Sequence, residues 1–475
     1  MRNTKIVATL GPATSDYKVL RDLIEAGANV LRLNFSHGSP EDHKLRVAHV
    51  KKASAELGIH VAILGDLQGP KIRIARFANE KIVLEEGQSF VLSTSRDKTS
   101  GDETGVAVDY EALIDDCDEG DRLLLDDGKV VLRVDEKTSD ELRCTVVVAG
   151  KLSNNKGINK EGGGLSAAAL TEKDYKDIEL AAEIDVDYLA VSFPRTGADL
   201  REARERLKAA GGRGRIVAKI ERAEVVASRE AMEDVIAASD AVMVARGDLA
   251  VEIGDAALPG AQKKIIERAR YMRVPVITAT QMMESMIDNP APTRAEVLDV
   301  ANAVLDGTDA VMLSGETAAG RYPVETVKAM ASVIEGTEAY EPQALRDDSL
   351  LRQSGKVDEA IANASMFTAR QMGTIKVVAN MTESGHTAAL MSRVTSALPI
   401  VAFCRRKSVA ARLALLRNVT PILVSGDEMV SENRAEIVTF ELKNRGWVKP
   451  GEQFILTYGN VNLPGGTNNM KIITV

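Results

Sequence analysis

The chain has 475 residues, 45% of them apolar and 27% charged, and a formal net charge of -9. That length exceeds one compact domain, the composition is far from that of a disordered chain, and the acidic balance without a sustained basic block excludes a nucleic-acid footprint. No apolar run reaches membrane-spanning length, and Cys117, Cys144 and Cys404 are too few and too far apart for a disulfide framework or a zinc site.

Met1-Arg2-Asn3-Thr4 leads directly into the strand-like run Lys5–Leu10 with no signal-peptide layout, which points to the cytoplasm. Further strand-like runs follow at Asn29–Phe35 and His60–Leu67, then at Tyr188–Phe193, Ile216–Glu221, Ala241–Arg246, Val274–Thr280 and Ala310–Leu313, each trailed by an amphipathic helical stretch. Eight such units fit a closed (β/α)8 TIM barrel in the α/β class. The helix after the third strand is delayed: Gly69 to about Ala167 carries short strands, turn pairs such as Asp127-Gly128, and the run Gly162-Gly163-Gly164. This predicts an inserted small β-barrel lid over the catalytic face, where a movable cover can exclude water. After Glu341 a polar linker with Pro342 leads into a C-terminal α/β domain that includes Ile375–Met381 and Pro399–Phe403. The expected division is 1–69 and 168–340 for the barrel, 70–167 for the lid and 341–475 for a regulatory domain.

Polar residues gather where the barrel strands end. Arg32, Asn34 and Ser36 alternate along one run and should share a face, as should Lys219 and Glu221. Asp248, in Ala245-Arg246-Gly247-Asp248-Leu249, lies one βα unit beyond Glu221, so two carboxylates from neighbouring strand ends can hold a hard cation such as Mg2+ or Mn2+. A lone Lys-x-Glu or Arg-Gly-Asp is ordinarily a solvated surface feature. Here Arg32, Asp66, Ser192, Lys219, Glu221, Asp248, Thr280 and Ser314 all fall at or just after strand ends, the face where barrels place catalytic groups. Cations around a divalent ion suit phosphoryl transfer, which needs positioning and charge neutralisation more than covalent chemistry. Gly247 permits close backbone approach, and a short helix starting at Asp248 would offer free N–H groups to a carboxylate or phosphate. No Walker-type or protein-kinase glycine loop is present, so a nucleotide must be held differently.

The runs Arg32-Leu33-Asn34-Phe35-Ser36-His37-Gly38, Gly69-Pro70-Lys71-Ile72-Arg73, Lys219-Ile220-Glu221, Met243–Leu249, Ile277–Met282, Pro292–Glu296 and Asp306–Thr317 resemble those of pyruvate kinases, in one order across nearly the whole chain. Asn154–Asn159 and Gly162–Ser166 are similar to bacterial forms activated by AMP and sugar phosphates. The resemblance implies transfer of the phosphoryl group of phosphoenolpyruvate to ADP, giving ATP and pyruvate in glycolysis, by a homotetramer. It assigns Lys219 to the transferring phosphoryl group, Arg32 to the phosphate, Glu221 and Asp248 to Mg2+, and Gly247, Asp248 and Thr280 to the substrate carboxylate. Asn34, His37, Arg73 and Lys156 fall around the nucleotide, and Thr280 acting through water is the expected proton donor. Thr382, Ser384, Gly385, His386 and Thr387, at a strand-to-helix turn, fall where related enzymes bind phosphorylated activators; helix capping is the plainer reading of the same hydroxyls.

The sequence departs from the family pattern in three places. Leu67 stands where Thr is usual after Asp66, Ala250 where Gly is common, and Lys71 where potassium-dependent members carry Glu. Asn34, Ser36, Asp66 and the Leu67 carbonyl remain as potassium-type ligands, but an ammonium at Lys71 can stand in for the ion, so K+ is expected to be accepted and not required. The rival readings are another phosphoenolpyruvate-handling barrel, such as an aldolase or mutase, which leaves the insertion unexplained, and a non-catalytic metabolite sensor.

Overall fold

The computed structural model describes residues 2–340, 355–394, 396, 398–430, 432–459 and 466–475; the expected linker at Glu341 and Pro342 lies outside the described residues. Eight parallel strands close into a barrel: β1 Lys5–Leu10, β2 Val30–Asn34, β3 Ala62–Asp66, β4 Tyr188–Val191, β5 Arg215–Ile220, β6 Ala241–Ala245, β7 Val276–Ala279 and β8 Ala310–Leu313. Closure is made by β1, which pairs with β2 on one side and with β8, Lys5 opposite Ala310, on the other. The two-residue alternation of a strand sorts the side chains into two layers. Val7, Val30, Leu64, Val217, Met243 and Ile277 fill the interior. Ile6, Ala8, Leu31, Leu33, Val242 and Val244 face the surrounding helices.

Several strands are shorter than the sequence suggests. Phe35, Leu67, Phe193, Glu221, Arg246 and Thr280 all lie just past a strand end, because there the chain must turn toward its helix. At two of these corners, Phe193 and Thr280, the backbone is left-handed.

The lid, expected as a small β barrel, consists of a six-stranded sheet from Ser89–Ser93, Gly105–Ala107, Arg122–Leu125, Val130–Lys137, Glu141–Val148 and Ile158–Lys160, plus a two-stranded ladder of Lys81–Leu84 with Gly150–Ser153. It has its own core around Phe90, Leu92, Leu132 and Leu142, and Cys117 and Cys144 pack there, their thiols pushed up to about 12 by burial. The chain returns to the barrel through Gly162-Gly163-Gly164, all at positive φ. A Cβ at Gly163 would sit 2.7 Å from a Glu224 carboxylate oxygen, and the positive φ at all three positions disfavours any side chain. The Glu224 carboxylate also accepts from the Gly164 N–H at 2.7 Å.

The C-terminal sheet runs Val419–Leu423, Ile400–Cys404, Ile375–Met381, Gln453–Gly459 and Thr467–Thr474 in spatial order, the last strand antiparallel. This domain seats against the floor of the barrel, the end away from the lid. Leu415 joins the interior cluster of the barrel from below, and Tyr188 donates its hydroxyl to the Arg412 carbonyl at 2.9 Å. No helix among the described residues is long and apolar enough to cross a membrane.

Candidate active site

Four neighbouring strand ends at the mouth of the barrel bring charge together. From β2, Arg32 donates through Nε to Asp66 Oδ2 at 2.7 Å and through Nη1 to Thr9 Oγ1 at 3.1 Å, which holds its guanidinium against the ends of β1 and β3. From β5, Lys219 Nζ donates to Ser192 Oγ at 2.8 Å and stands 2.9 Å from Glu221 Oε1 and 3.5 Å from Asp66 Oδ1. Ser192 in turn donates to the Leu67 carbonyl at 2.8 Å, and Glu221 Oε2 accepts the Phe193 N–H at 2.8 Å.

The electrostatics follow from burial among mixed charges. Burial works against the Lys219 charge, but Asp66 and Glu221 outweigh it and hold the ammonium above its ordinary range, so Lys219 is cationic at any physiological pH. Burial pushes the Glu221 carboxyl up, Asp248 pushes it further, and Lys219 opposes both. Asp66 Oδ1 and Glu221 Oε1 are buried and face the Lys219 ammonium, at 3.5 and 2.9 Å, with no other hydrogen-bond partner among the described residues. Carboxylate oxygens that share one ammonium keep acceptor capacity that a ligand can complete.

Glu221 and Asp248 suit a divalent hard cation: both are carboxylates, Glu221 Oε1 meets only the Lys219 ammonium among the described residues, and Asp248 is part-exposed at the neighbouring strand end. No cluster of three or more His, Cys, Asp or Glu that could hold a metal occurs among the described residues. A metal here would therefore take its remaining ligands from substrate oxygens and water, as Mg2+ in phosphoryl-transfer sites does.

The helix expected from Asp248 starts two residues earlier and spans Arg246–Ile253. The Gly247 N–H donates to Thr280 Oγ1 at 2.9 Å, which places the Thr280 hydroxyl over that helix end. Thr280 has φ 69 and Gln281 φ 52. For a β-branched residue this is a true outlier, costing about 1–3 kcal/mol.

Asn34, His37, Arg73 and Lys156 separate into two pairs. On the barrel, Asn34 Oδ1 accepts the Ser36 N–H and the His37 N–H closes a turn on the Asn34 carbonyl. Ser36 is thus an exposed turn residue, not the third member of a strand face with Arg32 and Asn34, because the chain bends after Asn34. On the lid, Arg73 donates to the Asn155 carbonyl at 2.8 Å and Lys156 pairs with Asp126 at 2.8 Å. No hydrogen bond or ion pair joins the two pairs among the described residues. Lys71 Nζ reaches from the lid to 3.9 Å from Asp248 Oδ1.

In the C-terminal domain, Thr382 Oγ1 accepts the Gly385 N–H, Ser384 Oγ accepts the His386 N–H, and His386 Nε2 lies 3.4 Å from Asp358. Thr387 Oγ1 meets Thr467 Oγ1 at 2.7 Å. Reading the sequence alone passed over Thr9, which steadies Arg32, and Arg246, whose side chain is buried beside Thr280. Only its place before Gly247-Asp248 hinted at Arg246, and nothing local distinguished Thr9.

Two family models describe this chain: the pyruvate kinase barrel domain matches residues 1–327 and the pyruvate kinase alpha/beta domain residues 359–473. The chain belongs to the pyruvate kinase family. It is 54% identical to pyruvate kinase II of Salmonella typhimurium over all of this chain and 99% of that one, and 52% identical to a pyruvate kinase of Haemophilus influenzae over 97% and 96%. A pyruvate kinase of Geobacillus stearothermophilus is 41% identical over 99% of this chain and 80% of its own. As a member of this family the protein is a phosphotransferase, and the closed barrel, added sheet domain and C-terminal α/β domain agree with that membership.

Proposed function

We propose that the mouth of the barrel transfers the phosphoryl group of phosphoenolpyruvate to ADP, and that Lys219 is the group on which the step depends. The observation that carries this is the Lys219 ammonium, held charged between two buried carboxylate oxygens, Glu221 Oε1 at 2.9 Å and Asp66 Oδ1 at 3.5 Å. A preorganised cation in a low-dielectric cleft stabilises charge on a transferring phosphoryl group without reorganising. Arg32, steadied by Asp66 and Thr9, grips the phosphate from the other side. The backbone at Gly247 and Asp248, with Thr280, orients the carboxylate, and the Thr280 hydroxyl, which donates to the Ala279 carbonyl in this structure, turns from it to relay a solvent proton to the enolate through water. Asn34, His37, Arg73 and Lys156 receive the nucleotide when the lid, 70–167, closes over 1–69 and 168–340. When bound at Glu221 and Asp248, a divalent ion neutralises charge on substrate oxygens. ATP formation from phosphoenolpyruvate, ADP and Mg2+ tests the reading, and an aldolase or mutase product, or no turnover, would overturn it.

Two finer parts belong to the same proposal. Lys71 supplies a fixed positive charge in place of the carboxylate of potassium-dependent members, and its ammonium stands 3.9 Å from Asp248 Oδ1. Swung to about 4 Å from a monovalent cation held by Asn34, Ser36, Asp66 and the Leu67 carbonyl, it would repel that ion by roughly 4 kcal/mol at an effective dielectric of 20. The enzyme should therefore turn over in potassium-free buffer, and Lys71→Glu should gain potassium dependence. The 341–475 domain takes a phosphorylated sugar or AMP at Thr382–Thr387 and acts within a homotetramer. Its support is a left-handed Gly385 packed against Leu413, with Arg405 and Arg406 bonded to Glu383 beside it. Activation curves unaffected by Ser384→Ala with Thr387→Ala would remove that location.

A further inference from the structure

Thr280 and Gln281 are consecutive left-handed non-glycine residues at the end of β7, and Thr280 is β-branched. Nothing in the local sequence favours that conformation. What faces it is Arg246, a buried arginine at the end of β6 whose side chain runs across to β7. Its Nε donates to the Ala279 carbonyl at 3.0 Å and to the Thr280 carbonyl at 3.2 Å, and Nη2 donates to the Thr280 carbonyl at 2.5 Å. Nη2 also lies 2.8 Å from the buried Met282 sulfur, and Nη1 donates to Asp299 Oδ1 at 2.7 Å.

In an extended strand successive carbonyls point to opposite sides. One guanidinium can therefore receive the carbonyls of both Ala279 and Thr280 only after the backbone has turned at Thr280. The same turn brings Thr280 Oγ1 within 2.9 Å of the Gly247 N–H and 2.6 Å of the Ala279 carbonyl. The left-handed state is thus stabilised by bonds that the extended state cannot make, which is what a conformational bias requires.

We infer that Arg246 is a positioning residue for phosphoryl transfer: its fork holds Thr280 in the strained conformation that fixes the Thr280 hydroxyl over Gly247. A planar fork with several donors can do this, whereas a lysine ammonium cannot take the Ala279 and Thr280 carbonyls together while keeping Asp299. The inference rests on the proposed role of Thr280, and the two are separated by a double-mutant cycle.

The experiment measures kcat, KM for phosphoenolpyruvate and KM for ADP in the full chain and in Arg246→Lys, Thr280→Ala and the double variant. Thr280→Ala alone reports on the hydroxyl: unchanged kcat there refutes the role given to Thr280, whatever Arg246 does. Arg246→Lys should lower kcat about 10- to 100-fold, the scale of a displacement near 1 Å at a reacting centre, while KM for ADP stays within about twofold. In the Thr280→Ala background the same change should lower kcat less than about threefold, since the hydroxyl it positions is gone. Full and equal losses in both backgrounds, or an Arg246→Lys enzyme with unchanged kcat, would overturn the inference. Should Arg246→Lys fail to fold, adding Thr280→Gly should restore folding, because glycine adopts positive φ unaided. Continued misfolding of that pair would also count against the clamp.

Discussion

Both ends of this barrel bury carboxylates, and they treat them in opposite ways. At the floor, Asp309 is fully satisfied: Oδ2 accepts from Arg393 Nη1 at 2.8 Å and the Val276 N–H at 3.0 Å, and Oδ1 from Arg393 Nη2 and the Arg417 N–H at 3.0 Å. At the mouth, Asp66 and Glu221 are as deeply buried but each keeps an oxygen without a hydrogen bond. Pairing with Arg393 makes Asp309 part of a seam between domains, whereas at the mouth two carboxylates range around one ammonium. Neither burial of charge nor an unpaired buried atom alone marks function, since Arg2 Nε and Arg412 Nε are unpaired as well; the convergence of opposite charges at one strand-end cleft does.

The largest effect that could break this contrast is at the floor. Asp309→Ala leaves Arg393 buried and unpaired, and loss of one partner from a buried pair destabilises by about 3–5 kcal/mol. Chemical denaturation should show that loss, while kcat of the folded fraction stays near normal. Burial alone would raise the Asp309 pKa, but Arg393 holds it below the usual value, so its contribution is present above about pH 4 and disappears as pH falls through the lowered pKa. A variant of normal stability would show the seam to be incidental.

At the mouth, Lys219→Met removes a counter-charge from buried Asp66 and Glu221 and should lower stability by the same rule, while the folded fraction should show kcat depressed by about 10²–10³, the cost of removing one preorganised electrostatic group. Near-normal kcat in the folded variant would sink the assignment. Glu221 sharpens the same contrast through pH. Its carboxyl is raised to about 6, so protons and Mg2+ compete for it as pH drops below that value. The apparent Mg2+ affinity should weaken by up to about tenfold per pH unit below 6, and Glu221→Gln should have weak metal activation without that slope. Superimposable metal titrations at pH 5 and pH 7 would remove Glu221 from the metal site.

The last effect concerns Lys5, buried at the floor with its ammonium on the Val419 carbonyl at 2.8 Å. Burial pulls its pKa down to about 7, and Arg2 adds to that. A lysine whose folded pKa is depressed disfavours folding below that pKa, and the penalty fades as pH rises from about 7 toward the unfolded value near 10.4. Lys5→Met should therefore be more stable than the parent at pH 6, with the difference shrinking by pH 9, in urea midpoints at the two pH values. A difference independent of pH would mean that Lys5 stays charged in the fold.

How far the site was legible depends on distance along the chain. Lys219 and Glu221 are two residues apart at a strand end, so their meeting follows from local geometry, and the structure brings them to 2.9 Å. Ser36 was misplaced by the same rule because the strand ends at Asn34 and the Asn34 amide then caps a turn. The Asp248 helix was off by two residues because the Gly247 N–H is taken by Thr280, a partner from the next strand.

From the sequence alone come the alternation that builds β1 to β8, the polar residues at their ends, the glycine run that returns the lid, and the family. These depend on spacing over a few residues, where side-chain direction is set by the backbone period. Only the tertiary structure decides which buried charges are completed and which are not. Asp309 and Glu221 are both acidic residues beside a barrel strand, yet Arg393 comes from another domain to pair one of them while the other shares a single ammonium, that of Lys219, with Asp66. Thr280 owes its left-handed backbone to Arg246, 34 positions away. Partners at that separation meet only when the barrel closes, so no local pattern can announce them.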